Sequence, residues 1–375
     1  MTGAARPVHK QFGSLCVLGA GVLLTCLAHG AEALDDWLDL VRNAPYSESQ
    51  GVATNLQTIR RWVLFKQSYC SKPDRHLLLD KRWRFLGYLE NSDSPQETLT
   101  QLNETRRRFA AAGRVDFWAP GASDTTGYPF ALACDQPFAN MDEAMARLTG
   151  SNPDYLVWGT WDGMVVGSQD RPVSLIELFE TVVETRRQQG LIHFPVSVIP
   201  TFLGKVAIES GGQKNAVSRD NALGILQLLP AVLDECGIPQ AYRLHRIAQA
   251  DCAIRLMEQN HRSLQQPFDA VFGELPIDKR AALYDLLLTQ AHQIGVGRTI
   301  QLLQDEELGK AAHYFAEHQG RFSAQDILVG IIMHNLGRRD IGLLSLYYVT
   351  DARLVQSRLC TTGFKPQSRG CPDSP

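Results

Sequence analysis

Apolar residues recur at helical spacing through the second half of the chain. Ser174-Leu-Ile-Glu177 is a capping box followed by apolar positions every three or four residues, so a helix is predicted to begin there. Gly190 is expected to end that helix. Pro200 is expected to begin another, because the first N–H groups of a helix are unpaired and proline has none. Beyond Pro230 the pattern predicts helix after helix to about residue 349.

The first half of the chain has a mixed pattern. Helices are predicted at Asp35–Arg42, Ala53–Ser68 and Pro95–Ala112, and two β-rich runs flank Asp162-Gly163, a dipeptide typical of tight hairpins. The predicted fold class is therefore mostly α. Its expected parts are an α+β N-terminal domain over 34–172, an α-helical domain over 173–350 and a cysteine-containing tail over 351–375.

Residues 1–33 have the layout of a secretory signal peptide. Arg6 and Lys10 precede an uncharged run from Phe12 to Gly30, and Ala31-Glu32-Ala33 is a small-x-small cleavage pattern. An uncleaved membrane anchor is the alternative, since a spanning helix needs about 20 apolar residues. The run is short and contains glycine, so removal is favoured and no stable membrane span is expected. We predict a periplasmic protein, with a membrane tether as the lesser option.

Export makes disulfide bonds an expectation for the cysteines that follow the signal peptide. The six are even in number, and an oxidising compartment allows them to pair. Pairing between neighbours along the chain is predicted, that is 70–134, 236–252 and 360–371. Six cysteines permit many other connectivities, and the sequence does not choose among them. No CxxC spacing typical of zinc or redox sites occurs, so no metal and no cofactor is predicted.

Composition and charge exclude several classes of function. A hydrophobic content of 44% with 21% charged residues is ordinary for a globular protein. The net charge is −3 and no basic stripe occurs, so nucleic acid is not an expected partner. The chain also lacks the motifs of serine hydrolases, zinc proteases, P-loop proteins and kinases.

The stretch AIESGGQKNAVSRDNALGILQLLP, Ala207 to Pro230, carries the candidate chemistry. Phe202, Val206 and Glu209 fall at i, i+4 and i+7, so Glu209 lies on the face of its helix that packs on the core. Partial burial disfavours a charged carboxylate, and we expect a raised pKa suited to a general acid. Ser210-Gly211-Gly212 is expected to end the helix and let a ligand approach.

Read as a whole, this stretch resembles the motif of the soluble lytic transglycosylases, a lysozyme-like peptidoglycan-cleaving family. The motif runs roughly E-S-G-F-N-P-N-A-V-S-P-A-G-A-x-G-L-M-Q-I-M-P, and the chain keeps its register without a gap over residues 209–230. Under this resemblance Glu209 matches the single catalytic acid/base. Ser218 matches the serine whose hydroxyl supports the carboxylate, and Gln227 a glutamine of the sugar groove. Departures include Gly212 for phenylalanine.

The family also has a downstream A-Y-N-A-G-P-G motif whose tyrosine lies close to the catalytic acid. Its best counterpart here is Ala291-His292-Gln293-Ile294-Gly295-Val296-Gly297, with His292 in place of tyrosine. A rival counterpart is His334-Asn335-Leu336-Gly337, which lies farther along than the family spacing. We favour His292 as the substrate-binding residue. A histidine there can donate a hydrogen bond to the carboxylate or to sugar, with a charge that varies with pH.

The resemblance implies an exported cell-wall lyase. Glu209 would protonate the glycosidic oxygen between N-acetylmuramic acid and N-acetylglucosamine, then deprotonate the C6 hydroxyl that closes a 1,6-anhydro ring. Its partners would be peptidoglycan glycan strands, with cell-wall or secretion machinery as a possible recruiter. One alternative is a goose-type lysozyme reaction, in which water attacks and Asp220 serves as second acid. Another is a catalytically silent peptidoglycan-binding scaffold, which the absent phenylalanine and His292 keep open.

Overall fold

The computed structural model describes residues 51–65, 69–80, 83–122, 126–134 and 140–361. The expected signal peptide and the helix predicted at Asp35–Arg42 lie outside these ranges. Within them the chain is mostly helical, with twelve α-helices and five short strands. The predicted fold class is confirmed at this level: a helical protein with a small sheet near its N-terminal end.

The N-terminal part contains four helices and all five strands. Along the chain they are α1 (Val52–Leu64), β1 (Arg75–Leu79), β2 (Phe85–Glu90), α2 (Pro95–Ala111), β3 (Phe130–Ala133), α3 (Met141–Thr149), β4 (Gly159–Trp161), β5 (Met164–Val166) and α4 (Leu175–Gln188). The first three strands form one antiparallel sheet in the order β2-β1-β3. A disulfide bond between Cys70 and Cys134 joins the segment before β1 to the end of β3.

Two of the local predictions in this part are confirmed. Strands β4 and β5 form a hairpin whose turn residues Asp162 and Gly163 both have positive φ, the geometry that a two-residue hairpin turn requires. The capping box at the start of α4 is complete: Ser174 Oγ accepts from the Glu177 N–H, and the Glu177 carboxylate accepts from the Ser174 N–H.

The rest of the described chain is helical. Its elements are α5 (Ile199–Ser210), α6 (Pro230–Glu235), α7 (Arg246–Phe272), α8 (Ile277–Ile294), α9 (Val296–Gln304), α10 (Lys310–Glu317), α11 (Ala324–Asn335) and α12 (Leu343–Thr361). The helical run thus extends to residue 361, beyond the predicted end near 349, because α12 buries residues along both of its halves.

Helix α5 lies at the centre of this helical bundle. All nine residues from Ile199 to Ala207 are buried, so the helix has no exposed face over its first two turns. Helix α12 packs directly against it at Gly204, where a Cβ atom would lie 2.4 Å from the carbonyl oxygen of Ala352. Only glycine permits this approach, and it brings the middle of α12 next to the middle of α5.

Helix α1 packs against the last two described helices, α11 and α12, across the predicted boundary at residue 173. The Arg60 guanidinium forms a bidentate ion pair with Asp351 of α12 and lies over the ring of Tyr347, 4.1 Å from its centroid. In addition, Asp326 of α11 accepts a hydrogen bond from the Ala53 N–H. The first described helix and the last therefore belong to one packed unit.

Two of the predicted disulfide bonds are present. The bond between Cys70 and Cys134 is matched by one between Cys236 and Cys252, which ties the end of α6 to α7. Cys360 is also disulfide-bonded, but Cys371, its predicted partner, lies outside the described residues. These bonds indicate an oxidising compartment. Among the described residues, no helix is both long and apolar enough to cross a membrane.

Candidate active site

Glu209 lies in the last turn of α5, on the face that the sequence predicted. Phe202 and Val206 on that face are fully buried, and Glu209 itself is half-buried. Burial raises the pKa of the Glu209 carboxyl above its usual range, while the charge of Lys205 and a hydrogen bond from Tyr348 act in the opposite direction. The direction of this pKa shift is the one that the sequence predicted.

Tyr348 is the hydrogen-bond partner of this carboxyl group. It lies on α12, is almost fully buried, and its hydroxyl donates to Glu209 Oε1 at 2.9 Å. Burial, followed by the adjacent carboxylate, raises the pKa of Tyr348 well above its usual range, so the phenol keeps its proton. No local sequence pattern points to Tyr348, because 139 positions separate it from Glu209.

Lys205 is a second residue that the sequence analysis missed. It precedes Glu209 by one helical turn and is fully buried. Its Nζ lies 4.7 Å from the centroid of the Phe202 ring and makes no hydrogen bond within the described residues. Burial lowers the pKa of Lys205 well below its usual range, although Glu209 acts against this shift. The spacing of four from Glu209 was the available signal.

The serine and glycine after Glu209 connect the helix end to the rest of the motif. Ser210 Oγ donates to the carbonyl oxygen of Ile225 at 2.8 Å and accepts from the Gly212 N–H at 3.1 Å. Gly211 is left-handed, with φ 62°, as the end of a helix requires, and its carbonyl accepts from Arg147 of α3. The predicted helix end at Ser210-Gly211-Gly212 is confirmed.

Gln227 closes the short 3₁₀ turn Gly224–Leu226 that Ser210 contacts. It has a left-handed backbone, with φ 49°, and its Nε2 donates to the Gly224 carbonyl at 2.8 Å. Gly224 lies against buried Gln249, whose Oε1 accepts from the Ile225 N–H. Gly224 has φ +70°, and a Cβ atom there would lie 2.1 Å from Gln249 Nε2, so any other residue would be strained and would displace the Gln249 amide.

Ser218 organises the loop between Glu209 and Gln227. Its Oγ accepts from the Asp220 N–H at 3.1 Å and from the Ala222 N–H at 3.0 Å. These are loop-forming bonds of the kind that serine makes in turns. The support that Ser218 was expected to give Glu209 stays a prediction. Asp220, the alternative second acid, is exposed in the same loop.

His292 lies in the last turn of α8, against the helix that carries Glu209. Its ring centroid is 6.5 Å from that of Phe202, in an edge-on arrangement. Burial, followed by the nearby charge of Lys205, lowers the pKa of His292 well below its usual range, so the ring is neutral near neutral pH. His334, the rival counterpart, is buried on α11, where its carbonyl accepts from Arg338.

The site thus combines a half-buried carboxylic acid with a phenol donor, a buried lysine and a neutral histidine, beside a loop shaped by glycine and serine. In the part of the chain described, no group of three or more His, Cys, Asp or Glu is arranged to hold a metal ion. A scan against protein-family models finds no match for this chain, and a search of curated proteins finds none either.

Proposed function

We propose that this protein is a peptidoglycan lytic transglycosylase, a divergent relative of the soluble lytic transglycosylases with a lysozyme-like helical domain. The observation that carries the proposal is the Glu209 carboxyl, half-buried with a raised pKa and hydrogen-bonded by Tyr348. It occurs at the position that the sequence motif assigns to the catalytic acid. Its environment has the properties that general acid catalysis on a glycosidic oxygen requires.

In the first step, Glu209 donates its proton to the oxygen between N-acetylmuramic acid and N-acetylglucosamine as the C1–O bond breaks. The substrate's acetamido group stabilises the oxocarbenium-like centre. The carboxylate now carries a negative charge, and the Tyr348 hydroxyl at 2.9 Å stabilises it by a charge-assisted hydrogen bond. This contact is stronger after proton transfer than before it, so it favours the transition state over the ground state.

In the second step, Glu209 accepts the proton of the muramyl C6 hydroxyl as its oxygen bonds to C1. This closes the 1,6-anhydro ring and returns Glu209 to its protonated form. No water is consumed, and the proposed reaction needs neither a metal nor a cofactor. Burial of Glu209 serves both steps, because a raised pKa makes it an acid first and a competent base afterwards.

The single-carboxylate reaction is favoured over hydrolysis by the environment of Asp220. An inverting hydrolase needs a second carboxylate that activates water beside the bond. Asp220 is exposed in a loop, and its N–H is bonded to Ser218 of that loop. We assign Gln227, Ser218 and His292 to substrate binding: Gln227 at the groove, Ser218 through the loop it shapes and His292 beside α5.

Digestion of purified peptidoglycan tests the proposal. Muropeptides released by the full-length chain are separated and weighed by mass spectrometry, with Glu209→Gln and Asp220→Asn as matched carboxyl-to-amide variants. We expect products one water lighter than hydrolysed muropeptides, retained with Asp220→Asn and lost with Glu209→Gln. Reducing-end products that depend on both acids would instead establish the lysozyme reaction. Binding to peptidoglycan without any product would establish the scaffold.

We propose the periplasm as the site of action, which is where peptidoglycan and an oxidising environment coincide. The two described disulfide bonds support this compartment. Glycan strands are the proposed partner, and machinery of cell-wall growth or secretion is the proposed recruiter. Fractionation of cells, followed by blotting for the processed chain, tests the location.

A further inference from the structure

A cavity of about 490 Å³ lies between the region of the three-stranded sheet and the helices α11 and α12, and Glu209 is not part of its lining. One wall comes from strands β1 and β3 and helix α2, and the other from the turn between α11 and α12. Its volume is in the range typical of small-molecule sites. Most of its lining is apolar, including Trp83, Leu102, Phe130, Leu336, Ile341 and Leu346.

Arg106 of α2 supplies the cationic group of this lining. It is 4% exposed, and its hydrogen bonds go to neutral acceptors: Nε to the Pro129 carbonyl and Nη1 to Asn103 Oδ1, both at 2.9 Å. Gly121 and Gly127 pack directly on the guanidinium. A Cβ atom on Gly127 would lie 2.5 Å from Arg106 Cζ, so glycine is required for this packing.

The positive charge of Arg106 has no counter-charge within the described residues. No ion pair to an acid is formed there, and the hydrogen bonds that Arg106 makes to those residues use Nε and Nη1 but not Nη2. Burial lowers the pKa of Arg106 to about 10, which still leaves the guanidinium charged near neutral pH. A buried charge without a partner is costly.

Among the described residues, the other ionisable groups of the lining do not neutralise this charge. Asp340 is exposed at the rim, and His76 is hydrogen-bonded through Nδ1 to Asn91. The cavity therefore presents apolar walls with one buried cation among them. An anion entering it would gain a charge-assisted hydrogen bond at the guanidinium, and an apolar body would gain contact with the walls.

We propose that this cavity binds a small amphiphilic carboxylate, with its head group on Arg106 and its aliphatic body against the apolar walls. The site is independent of the proposed function. Leu346 of α12 lines the cavity, whereas Tyr348, two residues along the same helix, donates to Glu209, so the two sites lie on different sides of α12.

Calorimetric titration of the full-length chain with octanoate tests the proposal. Octanamide is the matched neutral probe, and inorganic phosphate is the matched anion without an apolar body. We expect octanoate to bind at least about tenfold more tightly than either probe. Octanamide lacks the hydrogen bond between charged groups, and phosphate lacks the apolar contact. Equal binding of octanamide, or binding of phosphate as tight as that of octanoate, would overturn the proposal.

Two variants locate the binding site. Arg106→Met removes the charge and is expected to weaken octanoate about tenfold or more. Because Arg106 also holds the loop that contains Gly121, Gly127 and Pro129, Gly342→Phe provides an independent test. Gly342 lines the cavity and has open space where its Cβ would lie, so phenylalanine there is expected to block octanoate. Gly320→Phe, equally unobstructed, is the control. Unchanged octanoate binding in Gly342→Phe would refute this location.

Discussion

Replacement of Tyr348 by phenylalanine tests the candidate site most directly. The change removes one hydroxyl, which donates to Glu209 Oε1 at 2.9 Å, and keeps the buried ring. A hydrogen bond to a charged group contributes about 1.5–3 kcal/mol. If the bond acts mainly after Glu209 has released its proton, this energy is lost from the transition state. The expected decrease in kcat is then roughly tenfold to a hundredfold.

The same change has a defined effect on pH dependence. Tyr348 stabilises the ionised form of Glu209 and so lowers its pKa against the larger effect of burial. Without the hydroxyl, the pKa of Glu209 is expected to rise further. Because the reaction begins from protonated Glu209, the alkaline limb of the activity profile is expected to move to higher pH.

Release of soluble muropeptides, measured as initial rates from acidic to alkaline buffers, checks both expectations. Tyr347→Phe is the matched control, since it removes the neighbouring hydroxyl on α12, and its ring contacts Arg60 instead. Tyr348→Phe with wild-type rates and an unshifted alkaline limb would refute the role assigned to this hydrogen bond. A slower enzyme with an unshifted limb would leave only a structural role for Tyr348.

Three further changes are expected to alter stability, as measured by urea unfolding. Lys205→Met removes a buried amine without a hydrogen-bond partner and is expected to add about 1–3 kcal/mol to the free energy of unfolding. The pKa of Lys205 is lowered, so this gain should increase as pH falls below the usual lysine pKa, where only the unfolded chain takes up the proton. Gly224→Ala places a methyl group on Gln249 and is expected to cost about 1–3 kcal/mol. Asp351→Asn leaves Arg60 buried without its counter-charge and is expected to lower the free energy of unfolding by about 3–5 kcal/mol.

Each of these predictions has a contrary outcome. A Lys205→Met gain that is equal at all pH values would mean that the folded protein holds this lysine charged. Gly237→Ala is the control for Gly224→Ala, because Gly237 also has a positive φ and its Cβ would meet nothing within 4 Å. Equal effects of the two alanines would contradict the close approach of Gln249. An Asp351→Asn cost no larger than that of an exposed substitution would contradict burial of the ion pair.

The local structure of this protein follows closely from its sequence. The capping box at Ser174, the hairpin turn at Asp162-Gly163 and the end of α5 at Ser210 are set by hydrogen bonds between residues a few positions apart. Such bonds leave a signature in short stretches of sequence. The raised pKa of Glu209 was also predictable from a short stretch of sequence, since helical periodicity alone places Glu209 on the same face as buried Phe202 and Val206.

The partners of Glu209 were decided by the tertiary structure. Tyr348 is 139 residues away and reaches the carboxyl because α12 crosses α5 closely at Gly204. Lys205 would be a surface residue on an ordinary amphipathic helix, but α5 is surrounded on every side and has no polar face left for it. Among the described residues Arg106 likewise has no counter-charge, because of how distant segments pack around it. Periodicity determines which face of a helix is buried. What that face meets depends on helix crossings between segments far apart in the chain, for which no short stretch of sequence carries a signal.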